Sequence, residues 1–99
     1  MYKPLDPLLH SQLRLAIMSL LVGLEEAEFN YLKEKTNSTS GNISVQIDKL
    51  KQGGYIEVTK KFRNNYPLTI CSITPKGVDA FHQYVLDLKT YLEPKRNVG

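Results

Sequence analysis

The chain has 99 residues and a formal net charge of +3, and 41% of its residues are hydrophobic. This length fits one folded domain, residues 1–99, that buries a core without help from a metal or a disulfide. Its single cysteine, Cys71, excludes an intrachain disulfide, so nothing indicates an oxidising compartment. The mild positive charge is compatible with an acidic partner such as nucleic acid but does not require one.

The N-terminal third predicts an arm followed by a helix. Residues 1–10, MYKPLDPLLH, contain two prolines and are expected to be extended. Ser11 is a candidate N-cap for a first helix. Apolar side chains recur there at helical spacing, at Leu13, Ile17, Leu20, Leu21 and Leu24. This apolar run contains Arg14 and is too short to span a membrane, so we expect a soluble, cytoplasmic protein.

The middle of the chain predicts two helices joined by a turn. EEAE is interpreted as a short acidic connection, and a second helix is expected over residues 29–36. The small polar run TNSTS then predicts a turn. Thr39 or Ser40 is expected to cap a third helix that runs to about Gln52. Its buried stripe is predicted to be Ile43, Ile47 and Leu50, and Gly53 and Gly54 end it.

The last part of the chain predicts a β-hairpin and a long helix. YIEVTKKF alternates like a strand, RNNYP is a turn because Asn tolerates positive φ, and LTICSIT returns. Thr74 is expected to cap a final helix over residues 75–92, and the tail EPKRNVG is expected to fray. The order α-α-α-β-β-α predicts a mainly α fold with a small hairpin (α+β), a winged helix-turn-helix.

Three quoted segments carry a resemblance to a known family. They are LDPLLHSQLRLAIMSLL, GNISVQIDKLKQGGYIEV and SITPKGVDAF, with a basic hairpin between the last two. The chain resembles the small winged-helix transcriptional regulators of bacteria and archaea related to the MarR and PadR groups. The resemblance implies a DNA-binding homodimer whose third helix enters the major groove. Many MarR-type proteins also have long helices at both ends, whereas this chain has only an arm and one C-terminal helix.

The third predicted helix has an outward face that suits DNA. Base edges and phosphates accept hydrogen bonds from side chains such as Asn42, Ser44, Gln46 and Lys49. Val45 is apolar and outward, so it can touch a thymine methyl group. The small residues Ser38, Thr39 and Ser40 allow a close approach to the DNA backbone. An ordinary solvated face, with these small residues acting only as caps, is the alternative interpretation.

The hairpin is predicted to contact the phosphate backbone or the minor groove. It carries three cations with no acid between them and two asparagines at its tip: Lys60, Lys61, Arg63, Asn64 and Asn65. Lysines on an exposed strand also protect it from aggregation, which is the alternative explanation. Asp48 is an acid near this surface, and we expect it to pair with a cation of the wing or helix.

The final helix is expected to form a dimer. It would be about 27 Å long, which exceeds what a small three-helix core covers. Its apolar stripe and the apolar arm supply the predicted interface residues: Leu5, Leu8, Leu9, Phe81, Tyr84, Val85, Leu88, Tyr91 and Leu92. The alternative is that the stripe covers only the core of its own chain.

Catalytic and metal patterns are weak. His10 and His82 have no ligand spacing with Cys71, and no phosphate-binding glycine loop occurs. We therefore predict no enzymatic activity, no metal and no cofactor. Double-stranded DNA is the expected partner, and a small-molecule effector stays open. The alternative function is a winged-helix module for protein–protein assembly without DNA binding, which the low net charge keeps in play.

Overall fold

The computed structural model describes residues 1–93, which form four helices and three strands. The helices are α1 (Gln12–Leu24), α2 (Phe29–Thr36), α3 (Ser40–Gln52) and α4 (Pro75–Leu92). The strands are β1 (Glu26–Glu28), β2 (Ile56–Arg63) and β3 (Tyr66–Ile73). The predicted winged-helix order is confirmed, with one additional strand. From residue 94 onward, the tail that was expected to fray lies outside the described residues.

The acidic segment after α1 is a strand, which corrects its interpretation as a plain connection. β1 pairs antiparallel with β3, with Glu26 opposite Ser72 and Glu28 opposite Ile70. The sheet order is therefore β1-β3-β2. Three residues with two glutamates carry no strand signal of their own, because their pairing partner comes much later in the chain.

A tight turn joins α2 to α3, as the small polar residues predicted. Asn37 ends α2 in the left-handed conformation at φ 52°. Thr39, rather than Ser40, caps α3, and its hydroxyl accepts a hydrogen bond from the Asn42 N–H at 3.1 Å. The apolar stripe that anchors α3 is buried as predicted, at Ile43, Ile47 and Leu50. The opposite face of the helix is left at the surface.

The hairpin of β2 and β3, which we call the wing, closes through two asparagines. Gly54 ends the α3 segment at φ 80°, as predicted for one of the two glycines. Asn64 and Asn65 both have positive φ, 49° and 66°, which is the geometry of a two-residue type I′ turn. This turn follows the natural twist of the strands, so the tip of the wing is short and well defined.

The core forms where the helices cover one face of the sheet. It contains side chains from the arm, all four helices and both long strands: Leu9, Ile17, Met18, Leu21, Leu32, Ile43, Ile47, Leu50, Ile56, Cys71 and Tyr84. Burial raises the pKa of the Cys71 thiol to about 11, so this thiol is protonated at neutral pH. A continuous core of this kind fixes α3 and the wing relative to each other.

The arm packs along its own chain. Residues 7–9 form a turn, so only the first part of the predicted extended arm is extended. The Asp6 carboxylate accepts a hydrogen bond from the Tyr55 hydroxyl. Partial burial, reinforced by that bond to Asp6, raises the pKa of Tyr55 to about 12. At the far end, the Tyr2 ring stacks on Tyr91 with ring centroids 4.8 Å apart.

Candidate nucleic-acid interface

The outward face of α3 is exposed along its whole length. Most of its predicted DNA-binding residues are exposed, namely Ser40, Asn42, Ser44, Val45 and Lys49, whereas Gln46 is half-buried. Val45 is an apolar side chain that stays 51% exposed although the core lies just behind it. The exposed face therefore offers hydrogen-bonding groups on either side of one apolar contact point.

The start of α3 lies in an open groove of mixed polar and apolar lining. This groove has a volume of about 530 Å³ and is lined by residues of α1, the turn and α3, including Ser11, Gln12, Ser38, Thr39, Asn42 and Gln46. The Ser38 hydroxyl lies 2.8 Å from the Thr36 hydroxyl, and the Thr39 hydroxyl caps the helix. Both hydroxyls thus have an internal partner and help to shape the groove.

Arg14 is part of this region, and the sequence did not point to it. Its guanidinium donates to the Leu8 carbonyl at 2.6 Å and to the Gln46 side-chain oxygen. Gln46 in turn donates through Nε2 to Asn42 Oδ1 at 3.1 Å. A lone arginine in an apolar helix gives no signal of this role, because its partners lie in the arm and in α3.

Arg14 decides which way both amides point. An arginine has donors only, so the Gln46 atom that faces it must be the oxygen. The Gln46 nitrogen then faces Asn42, which must present its own oxygen. Within residues 1–93, the Nδ2 group of Asn42 makes no hydrogen bond. This exposed side chain can therefore donate N–H hydrogen bonds to a ligand.

Asp48 has a different partner from the one that the sequence suggested. Its carboxylate accepts a hydrogen bond from the Gln52 amide at 2.6 Å. Among the described residues it forms no ion pair with a cation of the wing or of the helix, which corrects that expectation. The reason is local, because residues four apart on a helix face each other across one turn.

The wing cations differ in how they are held. Lys60 and Lys61 are exposed, and across the described part of the chain neither side chain makes a hydrogen bond or an ion pair. Arg63 lies 3.4 Å from the Glu28 carboxylate of β1, with 65% of its side chain exposed. The strand that the sequence missed therefore supplies the acid that faces this arginine. Asn64 and Asn65 form the exposed tip.

A groove separates α3 from the wing. It has a volume of about 310 Å³, and Phe29 of α2 and Ile47 of α3 are among its lining residues. Ser44, Asp48 and Lys51 line it from α3, and Val58, Lys60 and Thr69 line it from the wing. The hairpin face that carries Lys60 is thus turned toward α3, so the helix and the wing can contact one ligand together.

The residues predicted for a dimer interface fall into two groups. Leu9 and Tyr84 are buried in the core of their own protomer, and Leu5, Leu8, Phe81 and Leu88 pack against that core. They are thus partly or wholly used within the chain, because α4 packs against α1 and Tyr84 contacts His10 of the arm. The exposed group is Val85, Tyr91 and Leu92, at 38%, 42% and 67% exposure, together with Leu86 at 57%.

Residues 1–93 contain neither a membrane-spanning helix nor a cluster of metal ligands. No described helix is long and apolar enough to cross a membrane. In the same part of the chain, no three His, Cys, Asp or Glu side chains cluster closely enough to hold a metal ion.

Three helices, a tight turn between the second and third, and a basic hairpin beside the third define a winged helix-turn-helix. The model of the winged helix DNA-binding domain family matches residues 13–92, and the chain belongs to that family. An uncharacterized protein of Methanocaldococcus jannaschii is 43% identical over 79 residues, which cover 80% of this chain and 86% of that one.

Solved structures give the same class. A transcriptional regulator homologue from Pyrococcus horikoshii superimposes with a TM-score of 0.82 at 26% identity, over 87% of this chain and 85% of that one. The transcriptional regulator BldR from Sulfolobus solfataricus has the same fold, with a TM-score of 0.70 at 24% identity, over 89% of this chain and 65% of that one. Both structures share the winged-helix fold of this chain, and the first is described as a transcriptional regulator homologue. Together with the family, they support a DNA-binding regulator.

Proposed function

We propose that the protein is a sequence-specific transcriptional regulator that binds double-stranded DNA as a homodimer. In this proposal α3 enters the major groove and the wing holds the backbone or the minor groove. The observation that supports it best is the groove between α3 and the wing, since Ser44 of α3 and Lys60 of the wing both line it. The cytoplasmic location expected from the sequence is part of this proposal.

The proposed DNA contacts are of two kinds: residues of α3 that contact base edges (readers) and wing cations that contact phosphates (holders). Asn42, Ser44, Val45, Gln46 and Lys49 are the proposed contacts to base edges or nearby phosphates, and Ser38, Thr39 and Ser40 let the backbone approach. Asn42 presents N–H donors because its oxygen accepts from Gln46. Donors match the N7 and O6 acceptors of guanine better than the mixed pattern of adenine. We therefore expect guanine at the position next to Asn42.

The holders are the cations of the wing. Lys60, Lys61 and Arg63 lie within one strand, and the exposed asparagines 64 and 65 follow at the tip. Phosphate contacts of this kind add affinity for any sequence and release counterions, so they make binding sensitive to salt. They fix the position of the protein on the duplex without reading it.

The homodimer is proposed from the outer end of α4. Val85, Leu86 and Leu92 remain exposed on α4, although the arm contacts the same helix through Tyr2 on Tyr91 and through Lys3 on Thr90. Contiguous exposed apolar surface commonly marks an interface. A second copy that packs on α4 in an isologous way would place two copies of α3 on successive turns of one face of the DNA.

The deciding experiment selects bound sequences from a pool of random duplexes. The proposal expects an enriched palindrome whose half-sites are about 10 base pairs apart, centre to centre. Recovery of no preferred sequence, with binding that salt does not weaken, would remove the proposal and favour a module for protein–protein assembly.

Sedimentation at micromolar concentration tests the dimer separately. The expected mass is twice the 11.3 kDa of the chain. Val85→Glu should give a folded monomer because Val85 is exposed, whereas Leu88 also packs on the core of its own protomer. A monomeric wild-type protein at that concentration would contradict this part of the proposal alone.

A further inference from the structure

The tip of the wing carries apolar surface that the fold does not use. Phe62 is 75% exposed and Tyr66 is 73% exposed, and neither belongs to the core or packs on it. Holding an aromatic side chain in water forgoes the stabilisation that its burial would contribute. Exposed aromatic surface beside cations is a candidate contact for a partner.

The strand register sorts these residues onto two faces of the wing. Phe62 lies opposite Pro67, while Arg63 lies opposite Tyr66. Side chains alternate along a strand, so Phe62 shares its face with Lys60, Val58 and Ile56. That is the face whose Val58 and Lys60 line the groove beside α3. Phe62 and Pro67, the wing-tip pair, therefore lie on the side of the wing that α3 faces, and Tyr66 lies on the other side.

The hairpin also holds the wing-tip pair in place. In a hairpin with a two-residue turn, Arg63 and Tyr66 form the closing hydrogen-bonded pair, and Phe62 and Pro67 form the next, non-hydrogen-bonded pair. Side chains approach most closely in such pairs, so the register places the two rings next to each other on one face. Proline costs no ladder hydrogen bond here, because β1 pairs only with residues 70–72 of β3 and stops before Pro67.

We propose that the wing-tip pair is a wedge that enters the minor groove of DNA, partly unstacks one base step and bends the duplex. This rests on the proposed DNA-binding function. The charge around the pair favours DNA over a protein partner, since Lys60, Lys61 and Arg63 flank it and residues 59–67 contain no acid. Apolar wedges such as Phe and Pro, inserted from a cationic frame, kink DNA by about 20–90° toward the major groove.

The test uses duplexes that carry the palindrome selected from the random pool. Each duplex carries one 2-aminopurine, moved step by step across the site, and a second set reports bending by circular permutation on gels. The wild-type protein should bend the duplex and raise 2-aminopurine fluorescence at one symmetric pair of steps. Phe62→Ala should abolish both signals and weaken binding several-fold, with an unchanged salt slope because no cation is removed.

Two matched variants make the test specific. Phe62→Leu keeps an apolar wedge and should keep the bend. Tyr66→Ala removes an equally exposed ring from the opposite face and should leave bend and fluorescence at the wild-type level. All three residue changes lie outside the core, so melting temperatures should match that of the wild type.

Several outcomes would overturn the wedge. If the wild-type protein binds the palindrome without bending or unstacking it, the wedge is wrong and the proposed DNA-binding function still holds. The same holds if Phe62→Ala bends DNA like the wild type, or if it turns a dimer into a monomer, since the ring would then be a contact between protomers. Failure to bind any duplex would instead remove the proposed function itself.

Discussion

The outward face of α3 and the wing are the two regions of the proposed DNA-binding surface, and their polar groups are held very differently. On α3, Asn42 and Gln46 belong to a hydrogen-bonded chain that begins at Arg14. On the wing, the side chains of Lys60 and Lys61 have no partner within residues 1–93. Reading a base requires a fixed donor or acceptor, whereas attraction to phosphate requires only a charge nearby. We therefore assign base recognition to the outward face of α3 and phosphate contact to the wing.

The largest effect on DNA affinity should come from removing Lys60 and Lys61, the wing cations whose side chains have no partner in residues 1–93. Lys60→Ala combined with Lys61→Ala should weaken binding to the selected palindrome and to random DNA by the same factor. The slope of log affinity against log salt should become flatter by about two units, one for each phosphate that a lysine no longer neutralises. Titrations at several salt concentrations measure this. A weakening confined to the palindrome would contradict the assignment of the wing as a holder.

A smaller and more selective effect is expected from the reading side. Asn42→Ala removes a side chain that contacts a base edge in the proposal, at about 1–3 kcal/mol if the contact is bidentate. The cost should appear on the palindrome, largely vanish on random DNA and leave the salt slope unchanged. The side chain of Asn42 is exposed and the helix cap uses only its backbone N–H, so thermal stability should be preserved. Equal losses of affinity on both kinds of DNA would erase the distinction between the two regions.

Arg14→Met sharpens the comparison. It leaves Asn42 and Gln46 in place but removes the hydrogen bond from Arg14 that fixes the orientation of their amides. Without a donor beside Gln46, both amides can turn, and Asn42 can present its oxygen as well as its nitrogen. Discrimination between guanine and adenine at that position should fall, by less than the loss caused by Asn42→Ala. Tyr55→Phe is the matched control, since it removes the bond from Tyr55 to Asp6 of the arm without touching the amides. Competition between guanine and adenine duplexes measures the change.

The smallest effect should come from Arg63, the wing cation that has a partner. Glu28→Gln removes the carboxylate 3.4 Å from Arg63, and exposed pairs of this kind contribute about 0–1 kcal/mol. Affinity for all DNA should rise by no more than a few-fold. Glu57→Gln changes the net charge equally from an exposed position on β2 that does not contact Arg63. If both variants gain the same affinity, net charge explains the gain and the pair with Glu28 has no role.

The sequence by itself determined most of the fold. Helical periodicity located α1 to α4, and two asparagines indicated the turn of the wing. Thr39 and Thr74 cap α3 and α4 as predicted, whereas the Ser11 side chain makes no capping hydrogen bond to α1. These signals are local, since a periodic stripe or a cap depends on residues a few positions apart. For the same reason, the residues on the outward face of α3 and the cations of the wing could be predicted as a candidate site.

Only the tertiary structure decided the rest, because it depends on residues far apart in the chain. β1 exists as a strand because β3 supplies its partner, and Glu28 thereby comes to face Arg63. Arg14 meets Gln46 only after α1 and α3 have packed on a shared core. Leu9 and Tyr84 looked like interface residues in the apolar stripes, yet packing buried them in their own protomer. Periodicity reports that a face is apolar, whereas only packing determines which surface covers it.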